Sequence, residues 1–193
     1  MILPRSSFER DAREAARALI GSVLVRRSPE GETRGAVVEC EAYLGRIDDA
    51  AHSYRGKTER VRALYGPKGC AYVYLIYGMY WCLNISAGAP DAPECILLRA
   101  LEPVSGLELM GLRRGTGDGR KLCSGPGKLC AAMDVTKELY GADLCSPDSP
   151  LFLESGAPRE TEASRRIGID YAVLRRDELW RYTAKGSPFV SRP

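Results

Sequence analysis

The chain has 193 residues, 45% of them hydrophobic and 27% charged, and a formal net charge of +3. These values are typical of one folded domain, residues 1–193, and they exclude disordered and fibrous classes. No apolar run reaches the about 20 residues that span a bilayer, and charges interrupt the N-terminal "MILPRSSFERDAREA". We therefore expect an intracellular protein without membrane contact.

Seven cysteines and a single histidine, His52, limit the metal and redox chemistry of the chain. No CxxC motif occurs, so the sequence predicts neither a metal site nor a set of disulfides. A reduced cysteine in an apolar strand behaves as a small hydrophobe. We expect buried thiols at Cys40, Cys70, Cys82 and Cys95.

The N-terminal segment "SSFERDAREAARALIG" predicts an amphipathic helix. Ser6 and Glu9 have the spacing of a capping box, and Gly21 can end the helix. Its apolar face would comprise Phe8, Ala12, Ala15 and Leu19. A strand, "SVLVR", and a turn, "SPEGET", are predicted to follow.

The next predicted strand, "RGAVVECEAY", carries two acidic residues. Its alternation places Glu39, Glu41 and Tyr43 on one face. We expect Glu41 and Tyr43 to point the same way, whereas a solvated strand carboxylate is the expected state of Glu39. A polar loop with glycines should then end in a short helix that starts near Thr58.

The stretch "YVYLIYGMYWCLN", residues 72–84, predicts a β-hairpin with its tip at Gly78. Tyr72 and Tyr74 share a face of it. Tyrosine in a strand most often stabilises a core or a hairpin, and we favour that role for Tyr72 and Tyr80. Tyr77 lies at the tip, where packing cannot bury its ring, so this ring indicates a partner.

The second half of the chain continues the mixed pattern. "ECILLRALEP" predicts a strand, and "VSGLELMGLRRG" predicts a helix with a capping box at Ser105 and Glu108 that ends at Gly115. "GTGDGRK" predicts a mobile loop, and a helix should open near Pro126. Short strands and turns follow to Pro193, so periodicity alone predicts a mixed α/β domain.

Basic residues concentrate in two segments, 46–68 and 99–128, each with a local charge of 6 − 3 = +3. Cations beside aromatic rings are compatible with a nucleic-acid backbone, although a solvated charged surface would look similar. Within the second segment, Arg99 lies in an apolar strand, where an unpaired cation would be costly.

Five motifs in order carry a family resemblance: "VECEAYLGRIDDAAHS", "YVYLIYGMYWCLNIS", "LLRALEP", "KLCSGPGKLC" and "KGSPFVS", from about Glu39 to Ser191. Together they resemble the alkyladenine (3-methyladenine) DNA glycosylase family, of the methylpurine-DNA glycosylase type. The resemblance implies an α+β fold in one compact domain, with a curved, largely antiparallel sheet, a protruding β-hairpin and flanking helices.

The resemblance also implies the activity. It predicts a monofunctional DNA glycosylase that starts base excision repair by hydrolysing the N-glycosidic bond of alkylated purines, with deaminated purines as a possible extension. The damaged nucleotide would be flipped out of double-stranded DNA from the minor-groove side. A monomer located in the cytoplasm or nucleoid, without metal or organic cofactor, is expected.

Roles for individual residues follow from the matched motifs. Tyr77 would be the wedge that fills the vacated stack, with Met79 beside it. The walls and floor of the pocket for the flipped base would be Tyr43, His52, Tyr74 and Asn84, where Asn84 discourages guanine's exocyclic amine. π faces would attract a cationic alkylated purine.

For the reaction, the resemblance makes Glu41 the base that activates water at C1′. Arg99 would be a partner of that water or of a nearby phosphate, helped by the backbone carbonyl of Ile167. Lys128, near the start of a helix, is a candidate phosphate contact. No lysine falls within the matched pocket motifs, which argues against a Schiff-base lyase step.

Two other function classes compete with this reading. A non-catalytic binder of damaged DNA would keep the tyrosines and cations but would not need Glu41. An acyl or formyl transferase, or an RNA-binding domain of related barrel-like topology, would give no reason for Tyr77. Two departures from the family pattern, Cys40 between the glutamates and the segment "RALYGPKGCA", put substrate range in doubt more than the reaction.

Overall fold

The computed structural model describes residues 1–192. Within residues 1–192, eight strands form one sheet, and neighbouring strands pair antiparallel. The strands are β1 (Val23–Ser28), β2 (Gly31–Tyr43), β3 (Ala71–Ile76), β4 (Tyr80–Ala87), β5 (Glu94–Ser105), β6 (Leu151–Glu154), β7 (Thr161–Ser164) and β8 (Arg181–Ala184).

The helices are short and flank this sheet. They are α1 (Ala12–Leu19), α2 (Leu107–Arg114), α3 (Gly119–Leu122) and α4 (Pro126–Ala132), with 3-10 turns at Arg5–Ser7, Gly45–Ile47, Glu59–Tyr65 and Lys137–Leu139. The predicted α+β fold with its curved antiparallel sheet, hairpin and flanking helices is confirmed. No helix within residues 1–192 has the length and apolar character that a membrane span requires.

Strand β2 is the centre of the sheet. It pairs with β5 along one edge, while its other edge pairs first with β1 and later, from Glu39 to Glu41, with β8. The β2–β5 register shifts near Gly35 and on both sides of Glu39. Such bulges bend a strand and increase its twist, so β2 curves where its acidic residues lie.

Alternation along β2 separates two hydrophobic clusters. Cys40 and Ala42 belong to the larger cluster, which also contains the predicted face of α1. Tyr43 belongs to the smaller one, together with Tyr72 and Leu97. Because successive side chains of a strand point to opposite faces, the smaller cluster lies across the sheet from α1.

Both predicted capping boxes are wrong. Helix α1 begins later than expected and is capped by Asp11, whose side chain accepts a hydrogen bond from the Arg13 N–H. Ser105 is the last residue of β5 and pairs with Arg34, so Gly106 precedes α2 instead. A β-carbon at Gly106 would lie 2.5 Å from the Glu32 carbonyl oxygen, which explains the glycine.

The other predicted elements stand with small changes. The helix near Thr58 is a 3-10 helix, and the "GTGDGRK" segment ends in the single turn of α3. Gly115 ends α2 in the left-handed conformation, and α4 opens at Pro126. Three of the four predicted buried cysteines are buried, whereas Cys70 is half-buried.

Candidate active site

One cavity of about 860 Å³ opens beside the β3–β4 hairpin. It is bounded by the ends of β2 and β5, by the start of α4 and by residues 167–171. Its lining is largely aromatic and apolar, as in most sites for small molecules. All four predicted pocket residues line it, namely Tyr43, His52, Tyr74 and Asn84.

Aromatic rings pack together on one wall of the cavity. The His52 ring meets the Tyr74 ring edge to face, with centroids 4.6 Å apart, and the Tyr72 and Tyr74 centroids are 5.4 Å apart. The Tyr72 hydroxyl lies 2.8 Å from Nδ1 of His52. Tyr72 is buried, as expected, but it also lines the cavity.

His52 is a neutral side chain at physiological pH. Burial and the nearby Arg60 cation lower its pKa to about 4. A neutral imidazole adds no positive charge to the wall, so it does not repel a cationic ring. The loop of residues 44–58 carries it into the cavity, as the spacing after Glu41 suggested.

Asn84 is buried and lines the cavity. Its Nδ2 donates to the Tyr72 carbonyl at 3.2 Å, and its Oδ1 accepts a weak contact from the Cys95 thiol at 3.8 Å. These contacts fix the amide orientation. An amide held this way presents a set pattern of donors and acceptors to a bound ring.

Glu41 has no exposed surface and is held by three donors. The Ile167 N–H donates to Oε1 at 2.8 Å, the Tyr43 hydroxyl donates to Oε2 at 2.9 Å, and Arg99 Nη1 lies 3.4 Å from Oε1. The shared face of Glu41 and Tyr43 is therefore confirmed. Glu41 itself stands just behind the cavity wall, and all three donor residues line the cavity.

The pKa of Glu41 is raised above its ordinary value. Burial is the main cause, and Arg99, the Ile167 N–H and the Tyr43 hydroxyl partly offset it. A carboxylate of raised pKa is a better proton acceptor than an exposed one. The surroundings of Glu41 thus make it a stronger proton acceptor than an exposed carboxylate.

The expectation of a solvated Glu39 is wrong. Its carboxylate has no exposed surface and accepts from Arg99 Nε at 3.0 Å, Arg181 Nε at 2.8 Å and the Ser191 hydroxyl at 2.8 Å. Because the Arg181 side chain from β8 and Ser191 from the C-terminal segment contact this carboxylate, alternation alone could not show its burial. Glu39 and Glu41 share one cation, Arg99.

Arg99 is buried and paired, as an apolar strand requires. Burial lowers the pKa of its guanidinium, but Glu41 and Glu39 outweigh that effect and the net pKa is raised. Its contacts go to the two carboxylates and, at 3.5 Å, to the Ser191 hydroxyl. Ile167 also reaches the site through its backbone N–H, which donates to Glu41, and the role expected of its carbonyl beside Arg99 stays a prediction.

The hairpin tip projects into solvent. Tyr77 is 82% exposed and Met79 is 66% exposed. Tyr77 and Gly78 both have positive φ, and the Met79 N–H donates to the Ile76 carbonyl at 3.2 Å, which is typical of a type I′ turn. Tyr80, expected to stabilise the core or the hairpin, is 51% exposed; it is the first residue of β4, pairs with Ile76 and lines the cavity.

Cations surround the mouth of the cavity. Arg114, Lys128 and Arg192 line it together with Arg99, and no Asp or Glu of residues 1–192 does so. Lys128 is exposed, and Gly127 beside it packs closely on the Tyr80 ring. Lys128 thus lines the cavity from α4, outside the matched pocket motifs on which the prediction against a Schiff-base lyase step rests.

Sequence reasoning missed several residues of this region. The segment "RRIGID" supplied Ile167 but gave no sign that Arg166 is buried against Asp48, 118 residues away in the chain. Ser191 of "KGSPFVS" binds Glu39, a contact that no motif predicts. Long-range contacts of this kind have no local periodicity that could reveal them.

The site thus combines a buried carboxylate with an aromatic cavity whose lining carries cations, which is compatible with a flat ring on an anionic chain. Comparison with known proteins identifies the class. The family model for Methylpurine-DNA glycosylase (MPG) matches residues 6–188. The chain belongs to the methylpurine-DNA glycosylase family.

Named relatives agree with the family match. A putative 3-methyladenine DNA glycosylase of Methanoculleus marisnigri is 48% identical over all of both chains. One of Methanocella arvoryzae is 45% identical over 99% of this chain and 96% of its own. The human DNA-3-methyladenine glycosylase is 45% identical over 95% of this chain and 66% of its own. The protein is accordingly a DNA glycosylase, a hydrolase of N-glycosidic bonds that starts base excision repair.

Proposed function

We propose that the enzyme binds duplex DNA from the minor-groove side as a monomer, flips an alkylated purine into the 860 Å³ cavity and hydrolyses its N-glycosidic bond with Glu41 as the general base. The observation that carries this proposal is the Glu41 carboxylate, buried and held by three groups that line an aromatic cavity. Such a function places the enzyme with the DNA of the nucleoid.

The Glu41 carboxylate can accept a further hydrogen bond from a water molecule. A carboxylate has about four acceptor positions. The Ile167 N–H and the Tyr43 hydroxyl occupy two of them, and Arg99 pairs with Oε1 from 3.4 Å, so an acceptor position remains for a water that enters between these residues. In the reaction Glu41 takes a proton from this water, the hydroxyl adds to C1′, and the bond to the base breaks.

The charge of the substrate explains how one base could suffice. When the purine is alkylated and cationic, the electron pair of the broken bond neutralises the leaving ring, so no acid is needed. A neutral deaminated purine has to gain a proton as it leaves. His52, neutral with a pKa of about 4, is a poor donor for this step at pH 7. We therefore expect cationic lesions to be cleaved faster than hypoxanthine.

Lesion recognition would come from the aromatic wall. Tyr43, Tyr74 and the neutral His52 present π faces and edges to the cavity, and a cationic ring is attracted to such faces. Asn84 at the floor would set which exocyclic groups fit. The wall would select the charge and shape of the base, so lesion recognition would not require contacts that depend on the DNA sequence.

The hairpin tip supports flipping. Tyr77 lines the cavity and is 82% exposed, so its ring projects into solvent. A ring in that place can fill the gap left by a flipped nucleotide, with Met79 beside it. Arg114, Lys128 and Arg192 at the mouth are placed for phosphate contacts.

The experiment uses duplex DNA with a single cationic alkylated purine. We expect release of the free base and an abasic site, which stays unbroken until alkali is added, as for a monofunctional enzyme. The matched control is the same duplex without the lesion, with Glu41→Gln as the control for the enzyme. Lesion binding without base release by the parent enzyme would contradict the proposal and favour a damage-binding protein.

A further inference from the structure

Behind the cavity wall lies a buried ion pair that the proposed reaction does not use. Arg166 and Asp48 have no exposed side-chain surface. Arg166 Nη1 donates to Asp48 Oδ2 at 2.6 Å, and Nη2 donates to Oδ1 at 2.9 Å. This two-pronged geometry is the strongest form of an Arg–carboxylate contact.

The Arg166 guanidinium is also packed between two rings. It lies 4.6 Å from the centroid of Tyr43 and 4.9 Å from the centroid of Trp180. Tyr43 lines the cavity and Arg166 does not, so the guanidinium supports the ring from behind. The ring that would stack on the flipped base is thus held by a cation on its far side.

The same pair joins three segments of the chain. Arg166 donates to the carbonyls of Ala42 in β2 and of Arg175, each at 3.1 Å. Asp48 accepts from the N–H groups of Leu44 and Ala50, each at 3.2 Å. The end of β2, the loop that leads to His52 and the 166–175 segment therefore meet at one charge pair.

Arg166 directly precedes Ile167, whose backbone N–H holds the Glu41 carboxylate. The Ile167 N–H donates to Glu41 at 2.8 Å, so the place of that N–H depends on where Arg166 is anchored. Resting on the proposed function, we infer that Arg166 and Asp48 are positioning residues for glycosidic cleavage, which set both the Tyr43 wall and the Ile167 N–H that holds Glu41. They touch neither the substrate nor the water.

Lysine cannot replace Arg166 in this role. A single ammonium cannot make the two parallel contacts to Asp48 or stack flat between two rings. Arg166→Lys keeps the charge and much of the volume while it loosens the anchor. An error of about 1 Å in the placement of reacting groups can cost about 10²-fold in rate.

The test compares Arg166→Lys with Arg26→Lys. Arg26 is the matched control, because it is an almost buried arginine that binds the carboxylate and the carbonyl of Asp134, at 2.8 and 3.1 Å, away from the cavity. Single-turnover release of a cationic base is measured per folded molecule, with the folded fraction taken from near-ultraviolet circular dichroism. We expect a loss of about 10- to 100-fold for Arg166→Lys and less than about 2-fold for Arg26→Lys.

The pH profile separates positioning from a general effect on folding. The Ile167 N–H is one of the contacts that lower the pKa of Glu41. If the anchor loosens, that pKa rises, and the acidic limb of the rate profile moves to higher pH because the base is active only when ionised. The other titratable or charged groups around Glu41 are Glu39, Cys40, Tyr43, Arg99, Arg166 and Tyr171.

A second variant covers the case in which Arg166→Lys does not fold. Asp48→Asn keeps the side-chain shape but weakens the two-pronged contact to Arg166, so it should show a smaller loss of rate than Arg166→Lys. If either folded variant cleaves like Arg26→Lys with an unmoved acidic limb, the inference is overturned. If instead the parent enzyme releases no base, or Glu41→Gln releases it normally, the proposed function fails, so the two failures are distinct.

Discussion

The tip of the β3–β4 hairpin and the curved end of β2 belong to one site, but the tip is exposed and the end of β2 is buried. At the tip, the Tyr77 side chain is exposed. At the end of β2, Glu39 and Glu41 are fully buried in a network of arginines, a tyrosine hydroxyl and backbone N–H groups. Both regions border the same cavity.

The difference shows where function and stability coincide. A substitution at the tip removes a side chain that does not stabilise the folded state. A substitution in the buried network affects packing as well as chemistry. The environment of Glu41 even opposes its charge, since burial raises its pKa despite Arg99. Such opposition is common where a site is built for reactivity at the expense of stability.

The largest expected effect is on chemistry, at Glu41. Glu41→Gln keeps the shape and removes the base, so single-turnover cleavage should fall by about 10²- to 10⁴-fold. The free energy of unfolding should be unchanged or higher, because a charge that burial disfavours is lost while Glu39 still pairs with Arg99. Cleavage near the parent rate would remove Glu41 from its role.

Two alanine substitutions in one hairpin compare its buried and exposed rings. Tyr72→Ala should lower the free energy of unfolding by about 3–5 kcal/mol, as for other buried aromatic rings. Tyr77→Ala should change it by less than about 0.5 kcal/mol, since the ring is exposed and the positive φ is equally unfavourable for both residues. Urea denaturation of both variants gives these values, and a similar loss for the two would abolish the contrast.

The pocket wall should show an intermediate effect. Tyr74→Ala removes a ring that would contact the flipped base and should weaken discrimination between damaged and undamaged duplex by about 1–3 kcal/mol. Tyr43→Ala should do likewise. Tyr43→Phe is the control, because it keeps the ring and loses only the hydrogen bond to Glu41. Competition binding measures this discrimination. Parent-like discrimination by both alanine variants would show that the two rings have only a structural role.

The smallest expected effect is at the cationic mouth. Lys128 is exposed beside the cavity, so Lys128→Ala should leave the fold intact and weaken binding to all duplexes alike. If it contacts one phosphate, the slope of log affinity against log salt should decrease by about 1. Lys137→Ala, which changes an exposed lysine outside the cavity lining, is the control. Equal slopes for parent and Lys128→Ala would exclude the contact.

Much of the fold could be predicted because its signals are local. The alternation of β2, the glycine-centred hairpin and the proline at the start of α4 each act within a few residues. Helix starts were less certain. Ser6 and Ser105 have the right spacing for a cap, but the Asp11 side chain caps α1 and the β2–β5 ladder takes Ser105.

The candidate site could be predicted only where motifs carried it. Family motifs placed all four pocket residues on one cavity, which no periodicity in the chain would have done. The burial of Glu39 and Asp48 could not be predicted. Arg181 and Ser191 contact Glu39, and Arg166 contacts Asp48, and all three are far away in sequence. Burial from distant segments depends on tertiary packing, and a single strand cannot reveal it.

The separation of capture at the tip from chemistry at the end of β2 is tested most directly by watching both steps in one reaction. A fluorescent base analogue beside the lesion reports flipping, and abasic sites in the same sample report cleavage, for the parent, Glu41→Gln and Tyr77→Ala. We predict that Glu41→Gln flips the lesion like the parent without cleaving it. Tyr77→Ala should lose flipped occupancy and cleave the flipped fraction at the parent rate. Flipping lost in Glu41→Gln, or parent-like flipping by Tyr77→Ala, would contradict the account.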